Sequence, residues 1–363
     1  MEYRTSVGLD VHARSVTAYG MDSCTGEVFK YHCDHAGYEK EIAGWLASLP
    51  APVLAAYEAG PTGYGLYRCL EADGIACQVA APSKLLRPTG DKVKTDRKDA
   101  QHLEGLVRAG LITCVRVPSA KEEAIRDLLR AREAVRRDLM RVRHRVSKLL
   151  LRHGIVYDKT TTWSGGHLSW LAHQRFEIPE TQMAFENNLA AAVEMNARLD
   201  GLDNQLVEIL PGSGFEPVVT ALSCLRGVAM FTAFALAVEI GDWSRFTGSS
   251  IGNYLGLTPS ENSSGQSRHQ GGITKAGNKH ARRLVIEAAW QHRRAFNLAG
   301  SAVSTRQALA SPLIRARANQ ANRRLHNVWR KFDAREKLPV VANAAVAREL
   351  SGFCWSLAMM ATT

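Results

Sequence analysis

The sequence lacks both a long apolar run and an apolar leader. Its longest apolar stretch, roughly Gly227 to Val238, is shorter than the about 20 residues that cross a bilayer, and Arg226 stands just before it. The first residues carry Glu2 and Arg4 where a signal peptide would have its apolar core. We therefore expect a soluble protein that stays in the cytoplasm.

The sequence also lacks paired cysteines. Its 7 cysteines are odd in number and scattered, and no two form a Cys-x-x-Cys pair. This spacing argues against a disulfide framework and against a cysteine-based zinc site. His32, Cys33 and His35 are close along the chain, but the end of a strand beside a turn is the better interpretation of that segment.

Acidic residues are scarce in the last third of this basic chain. The protein has 46 Lys and Arg against 35 Asp and Glu, and between Arg268 and Arg348 17 positive residues face three acids. Such a surface would repel itself unless a polyanion lay against it, and binding phosphates releases counterions. The charge therefore favours a nucleic acid as partner over an ordinary solvated helix face.

The length of 363 residues exceeds what one compact core usually holds, so we expect two or three domains. Residues 4–20 alternate apolar and polar positions, as two strands joined by a tight turn do. The pattern then predicts a strand at Val28–His32, a helix at Gly37–Leu49, a strand at Pro52–Tyr57, a helix at Tyr64–Asp73 and a strand at Gly74–Ala80. Hairpins followed by alternating helices predict a mixed α/β sheet with three antiparallel strands and then crossover units.

Two heptad seams follow, one between Lys121 and Leu149 and one between Met195 and Ile209. Apolar residues in both advance by three and four positions alternately, which is typical of helices that pack along a seam. The break at Pro179 allows the two helices to fold back as an antiparallel hairpin. Pairing with a second copy of the protein, or packing as ordinary core helices, fits the seams equally well.

The remainder of the chain predicts an all-α region after a linker at Pro211–Gly214. The segments with helical spacing are Val218–Ile240, Ser249–Leu255, Asn278–Phe296, Pro312–Lys331 and Asn343–Met360. The fold class expected for the whole chain is thus α/β plus all-α.

Four acids occur where a mixed sheet would bring them together. Asp10 ends the first strand, Glu58 ends a later one, and Asp96 and Asp99 share a face in the first turn of a helix that Thr95 or Asp96 can cap. Carboxylates converging there would repel one another unless a divalent cation lay among them, and oxygen ligands select Mg²⁺ or Mn²⁺. Two such ions about 4 Å apart are a common device for cutting a phosphodiester.

Each acid also has a purely structural interpretation. Asp10 could cap a turn, Glu58 could end a strand, and Asp96 with Asp99 could favour a helix N-terminus. The Gly8-Leu9-Asp10 segment is also similar to the first strand of sugar kinases and actin-like ATPases. Those proteins need Gly-rich phosphate loops after strands, and the glycine-containing segments of this chain do not follow strands convincingly.

Residues 254–284 are rich in serine, glycine and basic residues. A serine before glycine, flanked by Arg268, Lys275, Arg282 and Arg283, combines a hydroxyl nucleophile with cations that bind phosphate. Ser264 is the candidate, although a loop of Ser, Gly and Gln is usually only a loop.

Together these motifs resemble the DEDD transposases of the insertion-sequence one-hundred-and-ten family, relatives of the Piv DNA invertase. The matching segments are Gly8-Leu9-Asp10-Val11-His12, Tyr57-Glu58-Ala59, Lys94 to Ala100, Gly256-Leu257-Thr258-Pro259, Ser263-Ser264-Gly265 and Ile273 to Asn278. The resemblance covers nearly the whole chain in the right order. One departure is that many relatives have Pro-Gly-Ile-Gly where this chain has Leu225 to Ala229.

The resemblance implies a division into three domains and a composite active site. Residues 1–118 would form an RNase H-like, RuvC-like domain with Asp10, Glu58, Asp96 and Asp99 as metal ligands. Residues 119–210 would be a coiled-coil region. Residues 211–363 would form a helical transposase domain with Ser264 as nucleophile and Ser263 as its close alternative.

The resemblance also implies partners and an activity. Family members are guided by a structured noncoding bridge RNA whose loops pair with donor and target DNA, and they act as tetramers. We therefore expect a bacterial recombinase that uses Mg²⁺, or Mn²⁺, and serine attack on double-stranded DNA, and that associates with the nucleoid when active. The nucleic-acid-binding residues would be Arg268, Lys275, Asn278, Lys279, Arg282 and Arg283. The alternatives are a RuvC-like nuclease that cuts branched DNA with metal-bound water, or a non-catalytic scaffold.

Overall fold

The computed structural model describes residues 3–86, 95–262, 267, 269–297 and 301–362. The chain forms two compact units, Met1–Pro118 and Ser119–Thr363. Within the described ranges, the helices are too short or too polar to cross a membrane. The division into three domains, with a second boundary after residue 210, stays a prediction, as do the roles of the three domains.

The first unit is built on one five-stranded mixed sheet with the strand order β3-β2-β1-β4-β5. The first three strands are antiparallel, whereas β1, β4 and β5 run parallel. The strands are β1 (Thr5–Val11), β2 (Val16–Asp22), β3 (Val28–Cys33), β4 (Val53–Glu58) and β5 (Ala76–Ala80). The predicted mixed sheet, with antiparallel strands followed by crossover units, is confirmed.

Helices cover both faces of this sheet. Helices α1 (Glu39–Ala47) and α2 (Gly65–Ala72) pack on the face that carries Leu9 and Tyr57. Helix α3 (Asp96–Arg108) packs on the opposite face, which carries Ala56 and other alternate strand residues. Successive side chains of a strand point alternately to the two helix layers. The layer that a residue at a strand end faces therefore follows from its position along the strand.

A close approach between β1 and α3 depends on Gly8. A Cβ atom at this position would lie 2.1 Å from the carbonyl oxygen of Ala100 and 2.5 Å from the amide nitrogen of Glu104, both in α3. The bare backbone of Gly8 therefore lets the helix lie directly on the strand. Glu104 is buried there and accepts a hydrogen bond from the Ser6 hydroxyl at 2.6 Å.

The second unit begins with an antiparallel helical hairpin. Helix α4 (Ala120–Arg152) and helix α6 (Pro179–Ile209) are joined through the short α5 (Gly165–Ala172). Polar pairs run along the hairpin in opposite chain order, Arg132 with Asp203, Arg143 with Asn196 and Arg145 with Asn188. The fold-back that the seams allowed is therefore present within one chain.

The two heptad seams differ in burial. In α4, Val135, Leu139, Val142 and Val146 are buried as the seam predicts. In α6 only Leu206 of the predicted seam is buried, and its other members are half-exposed. The seam of α4 also packs on the rest of the unit, because its Ile125 belongs to the main core and its Leu128 packs against that core.

The rest of the unit is helical, with one small β-hairpin. Its elements are α7 (Glu216–Ser223), α8 (Met230–Ile240), α9 (Ser250–Tyr254), β6 (Pro259–Glu261), β7 (Gln270–Ile273), α10 (Lys279–Trp290), α11 (Ala302–Gln307), α12 (Pro312–Asp333) and α13 (Pro339–Thr362). Phe234, Trp329 and Leu350 lie fully buried in their shared core.

The expected helix over Val218–Ile240 is interrupted. Helices α7 and α8 are separated by a turn in which Gly227 has a φ of +79°. A Cβ atom on Gly227 would lie 2.5 Å from the carbonyl oxygen of Ala288, so the turn packs tightly on α10. Most apolar residues of both helices and of the turn are buried, and for that reason the hydrophobic pattern does not indicate the break.

Candidate functional site

Asp10 and Glu58 lie at neighbouring ends of two parallel strands. Leu9 of β1 is paired with Tyr57 of β4, and the two acids each follow by one residue. Since Leu9 and Tyr57 face α1 and α2, strand alternation turns the next residues toward the α3 side of the sheet. The fold thus places both acids on the face that α3 covers.

Asp96 and Asp99 lie in the first turn of α3, as the sequence predicts. Thr95 caps this helix, since its hydroxyl accepts a hydrogen bond from the amide of Lys98 at 3.3 Å. Acidic residues are favoured in a first turn because the helix dipole is positive there. The contact at Gly8 brings this turn close to the end of β1.

Asp10, His12 and Asp96 form a compact group. Each contributes one potential ligand atom, and the three atoms lie within 4.8 Å of one another. His12 Nε2 is 3.4 Å from Asp10 Oδ2 and 3.9 Å from Asp96 Oδ1. Among the described residues, Glu58 and Asp99 contribute no atom to this group. Glu58 is exposed and Asp99 half-buried.

The electrostatics of Asp10 fit a site for a cation. Burial raises the pKa of the Asp10 carboxyl, and the charges of Asp96 and Asp99 raise it further, while His12 acts in the opposite direction. A positive ion among these carboxylates would relieve the repulsion that disfavours the ionised form. The carboxylate oxygens suit Mg²⁺ and Mn²⁺ alike, so the acids of this group fit a divalent cation.

The sequence pattern alone does not identify His12 as a site residue. The available signal was its position two residues after Asp10, because alternate residues of an extended chain point to the same side. The roles assigned to Asp10, Glu58, Asp96 and Asp99 stay predictions.

The serine candidates Ser264 and Ser263, and the neighbouring Arg268, lie outside the described residues. In the chain they fall between β6 and β7, which form an antiparallel hairpin. The Asn262 amide donates a hydrogen bond to the carbonyl oxygen of His269 at 2.9 Å, so the described hairpin extends to both sides of the serine segment.

The base of this hairpin is a close contact between two backbone segments. A Cβ atom on Gly256 would lie 2.4 Å from the backbone nitrogen of Ala276, and one on Gly277 would lie 1.9 Å from the carbonyl oxygen of Tyr254. Both glycines have positive φ values, +64° and +65°. The glycines that carried the family resemblance thus permit the chain to enter and leave the hairpin side by side.

The predicted nucleic-acid-binding residues occupy different environments. Lys275 and Lys279 are exposed. Arg282 is buried, and its guanidinium donates hydrogen bonds to the carbonyl oxygens of Leu255 at 3.1 Å and Ala276 at 2.7 Å. Burial lowers the pKa of this Arg282 guanidinium. The geometry therefore gives Arg282 an internal contact at the hairpin base, whereas the two lysines are presented to solvent.

Asn278 and Arg283 also make contacts within the protein. Asn278 caps α10, and Arg283 forms ion pairs with Glu133 at 2.9 Å and Glu287 at 2.6 Å. The exposed face of α12 offers a separate basic surface, made up of Arg323, Arg324, Arg330 and Lys331. Nucleic-acid binding by any of these residues stays a prediction.

Two family models match this chain. Residues 7–155, which include the four acids, match a model for DEDD transposases of IS110 elements, described as a transposase. Residues 219–303, which include β6 and β7, match the transposase IS116/IS110/IS902 family.

Full-length relatives agree with these matches. A putative transposase, y4qE, of Sinorhizobium fredii is 38% identical over 363 residues, which cover 98% of this chain and 89% of the relative. The transposase for insertion sequence element IS1533 of Leptospira borgpetersenii is 32% identical over 348 residues, 93% of this chain and 99% of the relative. The protein therefore belongs to the IS110 family of insertion-sequence transposases, enzymes that act on DNA by cutting and recombination.

Proposed function

We propose that this transposase joins donor and target DNA through attack of Ser264 on a phosphodiester, guided by a structured noncoding RNA of its own element. The observation that carries the proposal is the group formed by Asp10, His12 and Asp96 at the end of β1. Asp99 and Glu58 complete the proposed acid set from the same side of the sheet. We assign this unit an RNase H-like, RuvC-like catalytic role.

In the proposed reaction the Ser264 hydroxyl gives up its proton as its oxygen forms a bond to phosphorus, and the bond from phosphorus to the 3′ oxygen breaks. The departing oxygen takes up a proton and becomes a 3′-hydroxyl, while the 5′-phosphate stays on the protein. A divalent cation held by Asp10, Asp96, Asp99 and Glu58, with Mg²⁺ the first choice, would neutralise charge on the transferring phosphate. The serine link keeps the bond energy, so a second DNA end can be rejoined without ATP.

The other parts of the chain have supporting roles in this proposal. The α4–α6 hairpin acts as a coiled-coil spacer that helps to assemble a dimer or tetramer. Lys275, Lys279 and Arg268 contact nucleic acid around the serine, and the basic face of α12 extends that surface. Phosphate contacts of this kind dominate affinity for nucleic acids and weaken with salt.

A labelled-DNA assay tests the proposal. Protein, Mg²⁺, the RNA of the element and end-labelled DNA are incubated, and a protein-linked strand is sought on denaturing gels. The link is expected with the wild type and with the control Ser267→Ala, and is expected to disappear in Ser264→Ala and Asp10→Ala. If Ser263→Ala alone abolishes the link, Ser263 is the nucleophile.

Three other outcomes would contradict parts of the proposal. Cleavage that persists in Ser264→Ala and leaves a free 5′-phosphate would favour a nuclease that uses water, with His12 near Asp10 and Asp96 as a candidate base. A protein that binds DNA and RNA but never cuts would favour a scaffold. If the purified protein carries no RNA, or carries RNA that stays bound at high salt, guidance of the reaction by an RNA is contradicted.

A further inference from the structure

Glu239 is a buried carboxylate that joins three helices. It lies near the end of α8, and its side chain is only 3% exposed. Arg130 of α4 donates two hydrogen bonds to it, from Nε at 2.8 Å and Nη2 at 3.1 Å. Asn278 Nδ2 donates a third at 2.8 Å, and His280 Nδ1 lies 3.0 Å from the other oxygen.

These partners keep Glu239 ionised inside the protein. Burial alone would raise the pKa of its carboxyl, but the hydrogen bonds from His280, Arg130 and Asn278 outweigh burial and hold the pKa well below its ordinary value. A buried charge is tolerated only when such partners surround it, and removing one partner is costly. The group is therefore a well-defined junction and not a loose surface ion pair.

The junction is located where the chain leaves the β6–β7 hairpin. Asn278 follows the hairpin base and caps α10, because its side-chain oxygen accepts a hydrogen bond from the Ala281 amide at 3.0 Å. Its amide nitrogen also donates to the backbone oxygen of Glu239 at 3.3 Å. Asn278 thus holds the first turn of α10 to the end of α8 through both the side chain and the backbone of Glu239.

The first turn of α10 in turn holds both sides of the hairpin base. Arg282 donates hydrogen bonds to Leu255, before β6, and to Ala276, after β7. Gly277 lies under the carbonyl of Tyr254, with no space for a side chain. A shift of α10 would therefore move both ends of the described hairpin, which flank the serine segment in the chain.

We propose that Glu239 is a positioning residue, which fixes α10 and the base of the serine hairpin through Asn278 and His280 and connects them to α4 through Arg130. Its catalytic consequence rests on the proposed function of Ser264, whereas its structural consequence does not. Misplacing a reacting group by about 1 Å can cost about 100-fold in rate, so a modest loosening at this junction is expected to affect the chemical step.

The test compares Glu239→Gln with a matched control, Asp203→Asn. Asp203 accepts two hydrogen bonds from Arg132. The control therefore also removes a carboxylate paired with an arginine of α4, but one that does not contact the β6–β7 hairpin or its base. Hydrogen exchange of peptides covering residues 254–262 and 269–282 is expected to accelerate about 10-fold or more in Glu239→Gln. In Asp203→Asn those peptides are expected to keep wild-type rates.

Activity provides the second readout. Formation of the serine–DNA link is expected to slow by about 10- to 100-fold in Glu239→Gln, while the Kd for DNA changes by less than about 3-fold. Asn278→Ser separates capping from positioning, because serine still caps a helix but lacks the amide nitrogen through which Asn278 donates to Glu239. It is expected to loosen the same peptides, and Arg130→Lys is expected to have a milder effect than Arg130→Met.

These experiments separate a failure of the positioning role of Glu239 from a failure of the serine mechanism. Unchanged hydrogen exchange in Glu239→Gln and in Asn278→Ser would overturn the positioning role. Loosened peptides together with a wild-type protein that forms no DNA link would support positioning and contradict the serine mechanism. If Glu239→Gln does not fold, Asn278→Ser and Arg130→Lys decide the matter by the same two readouts.

Discussion

His292 is a histidine whose ring is buried in the second unit. Its side chain is fully buried, and among the described residues neither ring nitrogen has a hydrogen-bond partner. Burial, aided by the positive charge of Arg226, lowers the pKa of His292 to about 4 from an ordinary 6.5. The native protein therefore keeps this ring neutral at a pH where the unfolded chain already binds a proton.

This difference predicts an acid-dependent loss of stability. The unfolded state binds more protons between about pH 6.5 and pH 4, so the free energy of unfolding falls as the pH drops through that window. We expect His292→Phe to reduce the loss between pH 7 and pH 5 by about 2 kcal/mol. Urea unfolding, followed by tryptophan fluorescence at pH 7 and pH 5, measures this loss of stability. Substitution of an exposed histidine, His144→Gln, is the control. An equal loss in wild type and His292→Phe would contradict the assignment.

Glu239 and His12 illustrate which single residues the sequence conceals. The importance of Asp10 could be predicted because it ends a strand in a recognisable motif. The partners of Glu239 lie at positions 130, 278 and 280, and only the folded structure brings these helices together. An acid near the end of an apolar helix carries no local signal of such a junction.

At the scale of elements, the contact between β1 and α3 determines whether Asp10 and Asp96 lie close enough to share a metal ion. Gly8→Ala would insert a Cβ within 2.1 Å of the α3 backbone, and neither element can move without disturbing the core. We expect this variant to lower the free energy of unfolding by about 1–3 kcal/mol. We also expect weaker Mn²⁺ binding, because the first turn of α3 would move away from Asp10.

Gly105→Ala is the matched control in the same helix. A Cβ on Gly105 would meet no atom within 4 Å, and alanine is favoured over glycine inside a helix. This variant is expected to stabilise the protein by about 0.5–1 kcal/mol and to bind Mn²⁺ as the wild type does. Calorimetric Mn²⁺ titration of both variants checks the pair, and wild-type affinity in Gly8→Ala would show that the contact does not position the acids.

The elements of the first unit could be predicted more fully than those of the second. Strands β1 to β5 have alternating or apolar patterns bounded by turns, and such signals are local. Strands β6 and β7 are short and rich in Pro, Ser, Glu and Gly, so their pairing depends on the glycine contacts at the hairpin base. The break at Gly227 has a related reason, since the extensive burial of both helices weakens the apolar–polar periodicity that marks helix ends.

At the scale of the whole molecule, the proposed acids and the proposed serine belong to different compact units. Asp10 lies in Met1–Pro118, and Ser264 belongs to Ser119–Thr363. A site composed of two units does not require both to come from one chain. Closed symmetric oligomers commonly present one subunit's residues to another, and the family resemblance implies tetramers.

Mixing two inactive variants tests assembly between chains. Asp10→Ala and Ser264→Ala each lack one half of the proposed site, and co-expression allows them to form mixed oligomers. If the serine of one subunit joins the acids of another, about a quarter of the sites in a random mixture receive both intact halves. The mixture is then expected to form protein-linked DNA at about a quarter of the wild-type level, although either variant alone forms none. If each chain completes its own site, no mixture contains an intact one, and the linked product stays absent at every ratio.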